Sequence, residues 1–372
     1  MNAMGIIFAN IYDSSLGELT NKRTMASLPY GGRYRQIDFT LSNMSNSGIR
    51  HIGIISRYNY QSLMNHIGSG QEWDLELEEF GLEFLTPNSN QPSTVQVRGK
   101  LEALYASIDY LERANAEYVV LADSGVLCNM DMKDLLEKHI ASGKDLTVAT
   151  KAGIANGKKQ LDLALKLSPK GEVSDLTVDY CADSNYLASM DIFVIGREKL
   201  LHLVRESVAR NLYRLERDLI MKQYYDGNLT VNVYQFEGAA LFNESTLEYY
   251  RNSLALADKS VRMDLFYGKH TIYTKVRDRV PTYYGEDAQV NNCVVADGCR
   301  LEGSLGTSVL FRQVTVEEGA QVQDCVIMND CVIGAGAEVR CAILDKNVVV
   351  RPGSRLIGTP DNPVIVKRGD IV

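Results

Sequence analysis

The apolar residues of this chain follow one spacing in its first two thirds and another in its last third. Up to about residue 250, short apolar runs alternate with segments whose apolar residues recur every three or four positions. The short runs predict β-strands, and the other segments predict amphipathic helices. The predicted strands are residues 5–11, 49–56, 117–123, 145–151 and 229–236, and the predicted helices are residues 59–67, 101–114, 132–143 and 197–208. This alternation predicts a mostly parallel sheet with helices on both faces, whose ligands bind beyond the carboxyl ends of the strands.

From about residue 285 onward, apolar residues recur every six positions. The pairs and triplets with this spacing are Val295 and Leu301, Val316 and Val322, Ile327, Ile333 and Val339, and Val350 and Leu356. A period of six without a helical pattern predicts a parallel β-helix, in which each coil uses three such units. The predicted domains are therefore an α/β domain over residues 1–250, a connecting helix and linker over 251–284, and a β-helix over 285–372.

Composition and net charge argue against several classes of function. The chain has 372 residues, of which 45% are hydrophobic, and a net charge of -8, which argues against a nucleic-acid-binding protein. The apolar run at the start is too short to span a membrane and has no basic leader, so we expect a cytoplasmic protein without a membrane partner. All five histidines precede the β-helix, which makes acyl transfer with a histidine base improbable there. Assembly is the more plausible role of this domain.

Three segments carry a resemblance to a known family. They are "LPYGGRYRQIDFTLSNMSNSGIRHIGIISRYN" (28–59), "HIGSGQEWDL" (66–75) and "AQVNNCVVADGCRLEGSLGTSVLFRQV" (288–314). Together they resemble ADP-glucose pyrophosphorylase, or glucose-1-phosphate adenylyltransferase, from Gly5 to about Arg355. The resemblance implies a Rossmann-like nucleotidyltransferase domain with a mixed, mostly parallel sheet, a C-terminal left-handed β-helix of hexapeptide repeats, and a tetramer.

The chemistry of that family makes clear demands on an active site. Attack of a sugar phosphate on the α-phosphate of ATP gathers several negative charges in one place. Mg²⁺ held by carboxylates, basic side chains and backbone N–H groups must offset those charges. A glycine-rich first turn lets the backbone approach the triphosphate.

The first turn of this chain departs from the family pattern. The family's GGxGxRL turn is here "ANIYDSSLGELT", so that Asn10, Ile11 and Asp13 replace glycines and Ser15 stands at the arginine position. We expect these side chains to block the phosphate cradle. The family's Lys-Pro pair is replaced by Met25 and Ala26.

Several other family positions have also lost their functional residue. The two metal-binding aspartates correspond to Gly125 and Phe242, and the sugar-phosphate lysine corresponds to Asp179 or a close neighbour. The Gly-Thr-Ala signature has become Gly99, Lys100 and Leu101, preceded by Val97 where the family has tyrosine. The resemblance therefore implies no catalytic residue and no metal ligand at these positions, with Mg²⁺ binding only if some activity remains.

Two retained acids allow alternative interpretations. Asp123 either replaces the lost metal ligand through a two-residue slip or is simply an acid at the end of a strand. Asp131 belongs either to the site or to the N-terminus of the following helix, as its N-cap.

A basic cluster is also retained. It consists of Lys22, Arg23, Arg33 and Arg35. In the family, the residues matching Lys22 and Arg35 help to bind a phosphorylated sugar effector, although another basic position of that site is here Pro29. The alternatives are solvated surface charge, or a pair between Arg35 and Asp38.

The remaining nucleotide-pocket candidates are Gly31, Gly32, Gln71, Arg98, Gly99 and Asp123. The loop that contains Gly68, Gln71, Trp73 and Asp74 is equally explained as loop architecture, with Trp73 buried as packing.

These observations lead to a first hypothesis and two alternatives. The first is a catalytically deficient, regulatory subunit of the kind found beside the active enzyme in Gram-positive bacteria that make glycogen. It would form a heterotetramer with an active homologous subunit and change that subunit's turnover or effector response allosterically. The second is an active or weakly active adenylyltransferase that makes ADP-glucose from ATP and glucose 1-phosphate. The third is a free-standing sensor of sugar phosphate or nucleotide. A homo-oligomer is a further possible assembly, and a phosphorylated sugar or ATP is a possible ligand.

Overall fold

The computed structural model of the protein describes residues 2–10, 13–76, 81–86, 97–153, 161–179 and 185–372. The strands of the first domain are β1 (Ala3–Phe8), β2 (Pro29–Tyr30), β3 (Tyr34–Arg35), β4 (Ile52–Ile55), β5 (Leu82–Leu85), β6 (Tyr118–Asp123), β7 (Val126–Leu127), β8 (Leu146–Lys151), β9 (Ala164–Leu167), β10 (Val173–Thr177), β11 (Leu187–Gly196), β12 (Val231–Gln235) and β13 (Leu241–Phe242). The helices are α1 (Gln36–Asn46), α2 (Gln61–Ile67), α3 (Lys100–Ala106), α4 (Ile108–Arg113), α5 (Met132–Ser142), α6 (Arg197–Ala209), α7 (Lys222–Tyr225), α8 (Thr246–Leu254) and α9 (Lys259–Tyr267).

The main sheet is mixed, as the sequence predicts. Its strands lie in the order β10-β9-β11-β6-β1-β4-β5, and β8 and β12 join it through β11. The strands β6, β1, β4 and β5 run parallel to one another, whereas β11 runs antiparallel to β6 and β8. The register of β11 against β8 shifts between Ser189 and Phe193, which is a bulge in the middle of the sheet.

Alternation along the strands builds a core on each face of this sheet. On β1, Ile6 and Phe8 pack on the face that is covered by α3, α4 and α6. Ile7 packs on the opposite face, under α1, α2 and α5. The predicted strands and helices of this domain are confirmed, except that residues 101–114 form two short helices. The helix α1 was not predicted; Asp38 in its first turn accepts a hydrogen bond from the Arg35 N–H at 2.9 Å.

The connection between the domains is more helical than the sequence suggests. The predicted connecting helix is α8, whose N-cap is Ser245. A second helix, α9, follows and ends at Tyr267. Asp258 caps α9 by accepting a hydrogen bond from the Ser260 N–H at 2.7 Å. An aspartate N-cap marks the start of a helix, and the spacing of apolar residues did not show this start.

The C-terminal domain is a parallel β-helix. Its strands are β14 (Tyr283–Tyr284), β15 (Gln289–Asn291), β16 (Val294–Val295), β17 (Arg300–Leu301), β18 (Ser304–Gly306), β19 (Val309–Leu310), β20 (Thr315–Val316), β21 (Gln321–Ile327), β22 (Val332–Ile333), β23 (Glu338–Leu344), β24 (Val349–Val350), β25 (Arg355–Ile357) and β26 (Val364–Val366). The six-residue period places Leu301, Val316, Ile333 and Val350 in one stacked column. These side chains are fully buried, which confirms the predicted core of the coil.

One continuous apolar core joins the two domains. Tyr30 and Phe39 of the first domain, Tyr249 of α8, and Phe311 and Ile343 of the β-helix belong to the same buried cluster. The Tyr249 hydroxyl donates to the Pro29 carbonyl oxygen at 2.7 Å. None of the helices in the described ranges has the length and apolarity needed to cross a bilayer.

A buried ion pair also connects the domains. The Arg23 guanidinium donates to both oxygens of Asp345, at 2.6 and 2.7 Å, and both side chains are only 4% exposed. Both bonds come from the Nη2 nitrogen of Arg23. They are charge-assisted and shielded from water, and removing one partner would leave a buried charge without its counter-charge.

We expect Asp345→Asn to destabilise the protein by about 3–5 kcal/mol, because the Arg23 guanidinium would remain buried without a carboxylate. The matched control is Arg251→Met, which removes an exposed pair between α8 and Asp361 of the β-helix and should cost no more than about 1 kcal/mol. Urea unfolding followed by circular dichroism measures both. Equal losses in the two variants would contradict a special role for the buried pair.

Candidate functional site

Side chains organise the turn that follows β1. Asn10 donates from its amide to the Asp13 carboxylate at 2.6 Å, and Asp13 accepts from the Met25 N–H at 2.6 Å. Asn10 also accepts from the Ser56 hydroxyl at 2.8 Å. Burial raises the pKa of Asp13, against the lowering effect of its hydrogen bonds. The turn is therefore held by polar side chains, where a phosphate cradle needs free backbone N–H groups; Ile11 lies outside the described residues.

Gly125 and Phe242, the two positions that the family resemblance matches to metal-binding aspartates, are neighbours in the structure. β7 and β13 form a two-stranded ladder in which Phe242 pairs with Val126. The Asn243 N–H donates to the Gly125 carbonyl oxygen at 2.9 Å, beside that pair. Phe242 is 5% exposed and packs in the core beneath the sheet. The fold thus brings together two positions that offer a metal no side-chain oxygen.

The other replaced positions carry charges that are already paired, or no charge. Asp179 accepts from both terminal nitrogens of Arg214 at 2.9 Å and forms a second ion pair with Arg217. A carboxylate in this position repels phosphate and also occupies Arg214, whose guanidinium would otherwise be available. Ser15 is exposed. Met25 and Ala26 are buried in the apolar core.

A cavity of about 270 Å³ lies beyond the carboxyl end of β1, where an open α/β sheet binds its ligands. Arg98 and Gly99 line it, as do Arg57, Lys100 and Glu216. A Cβ atom on Gly99 would approach the Tyr213 carbonyl oxygen to 2.3 Å, so the close passage of the two backbones requires glycine. Arg98 pairs with Glu102 and lies over the Tyr213 ring, 4.7 Å from its centroid.

An ion pair lies beneath this cavity, between Lys100 of its lining and Asp123. Asp123 ends β6 and is 2% exposed, and its carboxylate lies 2.9 Å from the Lys100 ammonium. Burial raises the pKa of Asp123 to about 7, although Lys100 acts in the opposite direction. Asp123 is thus an acid at the end of a strand, as in the second interpretation, and its carboxylate is paired with Lys100.

Three of the nucleotide-pocket candidates lie elsewhere. Among the described residues, those that line the cavity do not include Gly31, Gly32 or Gln71. A Cβ on Gly31 would meet Phe266 of α9 at 3.0 Å, and one on Gly32 would meet Ala296 of the β-helix at 3.4 Å, so these glycines permit close packing of the domains. Gln71 begins a short 3-10 helix that ends at Trp73.

Two interpretations from the sequence are confirmed: Trp73 is buried as packing, and Asp131 is a helix N-cap. Trp73 is fully buried and donates to the Ser42 hydroxyl at 3.2 Å, which is packing. Asp131 is the N-cap of α5, and its carboxylate accepts from the backbone N–H groups of Lys133 and Asp134.

A second cavity lies between the domains and is strongly basic. Its lining includes six cationic side chains from the first domain, the linker and the β-helix: Arg33, Arg35, Lys275, Arg277, Arg312 and Lys346. Pro29 and His66 also line it. Such a concentration of positive charge at an interface is an anion-binding arrangement, and arginine suits the oxygens of a phosphate group.

Some of these cations have partners and others do not. Arg35 donates to the carbonyl and hydroxyl oxygens of Ser62 at 2.8 and 2.9 Å. Its guanidinium makes no ion pair with Asp38 in the described structure, because Asp38 accepts from His66 at 2.6 Å and from the Arg35 N–H. Within the described ranges, the charged ends of Arg277 and Lys346 make no hydrogen bond or ion pair, which leaves them available to an anion.

Lys346 is the cation most affected by its neighbours. Burial, together with the charges of Arg35 and Arg23, lowers the pKa of Lys346 to about 7, although Asp345 acts in the opposite direction. An anion in the cavity would favour the charged ammonium and draw a proton onto it.

The four effector candidates separate into different environments. Arg35 and Arg33 line the basic cavity, and Arg33 also lies over the Tyr34 ring at 5.1 Å. Arg23 is occupied by Asp345. Lys22 is exposed and lines a neighbouring groove with Lys367 and Arg368. The sequence did not reveal Lys275, Arg277, Arg312 or Lys346 as part of the site, although "TKVRDR" (274–279) is a basic run at the domain boundary.

Comparisons with known proteins agree with this architecture. A family model described as nucleotidyl transferase matches residues 5–159, and one described as GlmU-like C-terminal hexapeptide matches residues 279–362. The chain is 35% identical to the glycogen biosynthesis protein GlgD of Geobacillus stearothermophilus, over 99% of this chain and 96% of the relative. It is 30% identical to the GlgD protein of Bacillus subtilis (strain 168), over 98% of this chain and 96% of the relative.

The chain belongs to the family of GlgD and glucose-1-phosphate adenylyltransferase. A glucose-1-phosphate adenylyltransferase of Fervidobacterium nodosum is 28% identical, over 95% of this chain and 85% of that enzyme. In this family the first domain is a nucleotidyltransferase fold, and the hexapeptide match identifies the second as a left-handed β-helix. The GlgD-like chain described here keeps both domains and has the altered residues at the nucleotidyltransferase corner.

We expect sulfate to bind in the basic cavity and its affinity to fall as pH rises. The Lys346 ammonium is present below about pH 7 and is lost above it. The affinity should drop by up to about tenfold between pH 6 and pH 8, because the protonated fraction of Lys346 falls by that factor. Sulfate is the probe because it stays a dianion over this range. Isothermal titration calorimetry at each pH measures the affinity.

Two variants of Lys346 isolate this effect. Lys346→Arg keeps a charge at every pH and should bind sulfate with a flat profile, whereas Lys346→Met should bind weakly and also without a pH dependence. Lys367→Met, outside the cavity, should behave like the unaltered protein. A slope that persists in Lys346→Arg would assign the titration to another group, such as His66.

Proposed function

We propose that this chain is a non-catalytic, regulatory subunit in bacterial glycogen biosynthesis. It would assemble with an active, homologous glucose-1-phosphate adenylyltransferase subunit, in a heterotetramer, and alter that subunit's turnover or effector response. The observation that carries the proposal is the adjacency of Gly125 and Phe242 on paired strands. The two positions that the resemblance matches to metal-binding aspartates thus lie side by side, and neither carries a carboxylate, which supports the proposal.

The charges around the first cavity support the loss of catalysis. Phosphoryl transfer relies on positioned cations to offset the charge of the phosphates. Here the Lys100 ammonium is paired with Asp123 and Glu216, and the Arg214 guanidinium is paired with Asp179. Two of the cations that line this cavity, Lys100 and Arg214, are thus neutralised by the chain's own acids.

The basic cavity supports the regulatory part of the proposal. Its cations come from both domains and from the linker, so a bound phosphorylated sugar or ATP would contact all three. A ligand shifts a conformational equilibrium only through differential contacts with the two states. A ligand that contacts both domains binds two conformations differently if the distance between the domains differs between them. The β-helix would then transmit the change to a partner subunit.

We expect the chain alone to form no ADP-glucose with ATP, glucose 1-phosphate and Mg²⁺, and a mixture with an active family subunit to differ from that subunit alone. ADP-glucose formation is measured for the chain, for the partner, and for both together, with and without a sugar bisphosphate. An equal mass of albumin added to the partner is the control.

Each contrary result points to a different function. Mg²⁺-dependent turnover by the chain alone would identify a weakly active adenylyltransferase. A chain that binds a sugar phosphate but neither binds nor affects the partner would be a free-standing sensor.

We also expect that restoring the two acids will not restore catalysis. The double variant Gly125→Asp with Phe242→Asp should stay at least about a hundredfold below the active subunit, because Ser15, Lys100 and Asp179 remain, and single charge-stabilising contacts are worth that much in related chemistry. ADP-glucose formation measures the outcome, and circular dichroism verifies folding. Activity close to that of the partner would show that the two metal ligands are the only deficiency.

A further inference from the structure

The first coil of the β-helix, residues 283–295, has three open strand edges. Its strands are β14, β15 and β16, and each of them pairs with one strand of the next coil. Within the described part of the chain, no strand pairs with their other edges. Backbone N–H and C=O groups therefore face outward from this end of the coil. An open edge of this kind is a template for pairing with another chain.

The apolar columns of the β-helix also begin at an exposed surface. Tyr284, Val290 and Val295 are the first members of the three columns that form its core. Tyr284 is 52% exposed, whereas Leu301, the next member of its column, is fully buried. Val290 and Val295 are half-buried. Solenoid proteins normally end in a repeat with a polar outer face, and the first coil instead presents apolar core positions.

The opposite end of the β-helix is better covered. Val350 and Val366 are the last members of two of the same columns, and they are only 0% and 5% exposed. Ile371 adds a β-bridge to Val349, beyond β24. The first coil is therefore the end of the described β-helix at which more of the core is open to water.

Exposed apolar side chains surround the first coil. Tyr267, the last residue of α9, is 74% exposed and lines a groove together with Val295. Val280, shortly before β14, is 71% exposed, and Tyr283 is 55% exposed. With Tyr284, these side chains expose on the order of 500 Å² of mostly apolar surface, since a whole tyrosine buries roughly 150–250 Å². That is more than half of the roughly 800 Å² that each partner contributes to a standard interface.

We propose that the first coil is an interface with a second copy of this chain, in which two β-helices meet end to end. The partner is a second copy because this surface is complementary to itself. A twofold axis through the face of β14 places β14 against the same strand of the other copy and brings β15 of each copy to β16 of the other. Every open edge then meets an open edge in antiparallel orientation, and apolar side chains meet at the centre. The inference goes beyond the proposed regulatory function and does not depend on it.

The test is the mass of the full chain in solution, measured by sedimentation equilibrium without any other protein. The unaltered chain should associate, and Tyr284→Glu should have half its mass at the same concentration. The glutamates of the two copies would face each other in a surface removed from water, and such like-charge contacts are strongly unfavourable. Val280→Glu changes an exposed side chain outside the coil and is measured in case Tyr284→Glu folds poorly. It should raise the dissociation constant at least about tenfold.

The matched control is Ile371→Glu, which places the same charge at the opposite end of the β-helix, on a side chain that is 59% exposed. Its mass should equal that of the unaltered chain, and circular dichroism verifies the folding of every variant.

Four results would overturn the proposal. They are an unaltered chain that stays monomeric at about 100 µM, folded Tyr284→Glu and Val280→Glu variants that keep the full mass, an equal loss of mass in Ile371→Glu, and a mass that grows without limit as in head-to-tail stacking. No measurement uses a partner subunit or ADP-glucose formation. Failure of this interface is therefore distinguishable from failure of the proposed regulatory function.

Discussion

A charge removed from water must have an opposite charge beside it, and this requirement governs the structure at two places. It joins Arg23 to Asp345 across the domains and places Lys100 among acids beneath the first cavity. In each case the chain supplies both partners. A nucleotidyltransferase site works differently, because its cations must be free to meet phosphates. The fold is that of a nucleotidyltransferase, and the internal pairing of its charges supports the proposed loss of catalysis.

The two cavities differ in the balance of their charges. The first has cations on its edge but acids on its floor, so its own side chains satisfy most of the charge. The second has six cationic side chains in its lining, of which Arg312 is paired with Asp297. Two other acids near it, Asp38 and Asp345, are engaged by His66 and Arg23. Positive charge therefore exceeds negative charge between the domains. A bound anion there would relieve repulsion among these cations, which gives anion binding a direct effect on how the domains fit together.

Much of the fold could be predicted from the sequence because it depends on the regular spacing of apolar residues along short segments. The six-residue spacing placed Leu301 and Ile333 in the core of the β-helix. The alternation of elements predicted a mostly parallel sheet with helices on both faces, and the family resemblance implied that the sheet is mixed. Asp131 and Trp73 followed from local rules for caps and aromatic burial. The ion pairs of Lys100 and the basic cavity did not follow, because their members come from distant segments and no local period relates them. The substitution of lysine in the Gly-Thr-Ala signature was the available signal, since a buried lysine demands nearby acids.

The pair between Arg23 and Asp345 has a consequence for how the protein is made. The two residues are 322 positions apart, and both become buried only when the β-helix rests on the first domain. Synthesis at about 5–20 residues per second leaves an interval of roughly tens of seconds between their appearance. During that interval the Arg23 side chain has no partner, and the surface that later meets the β-helix is open to water. The charge of Arg23 in the first domain is therefore balanced only after the β-helix has been synthesised and has packed against that domain.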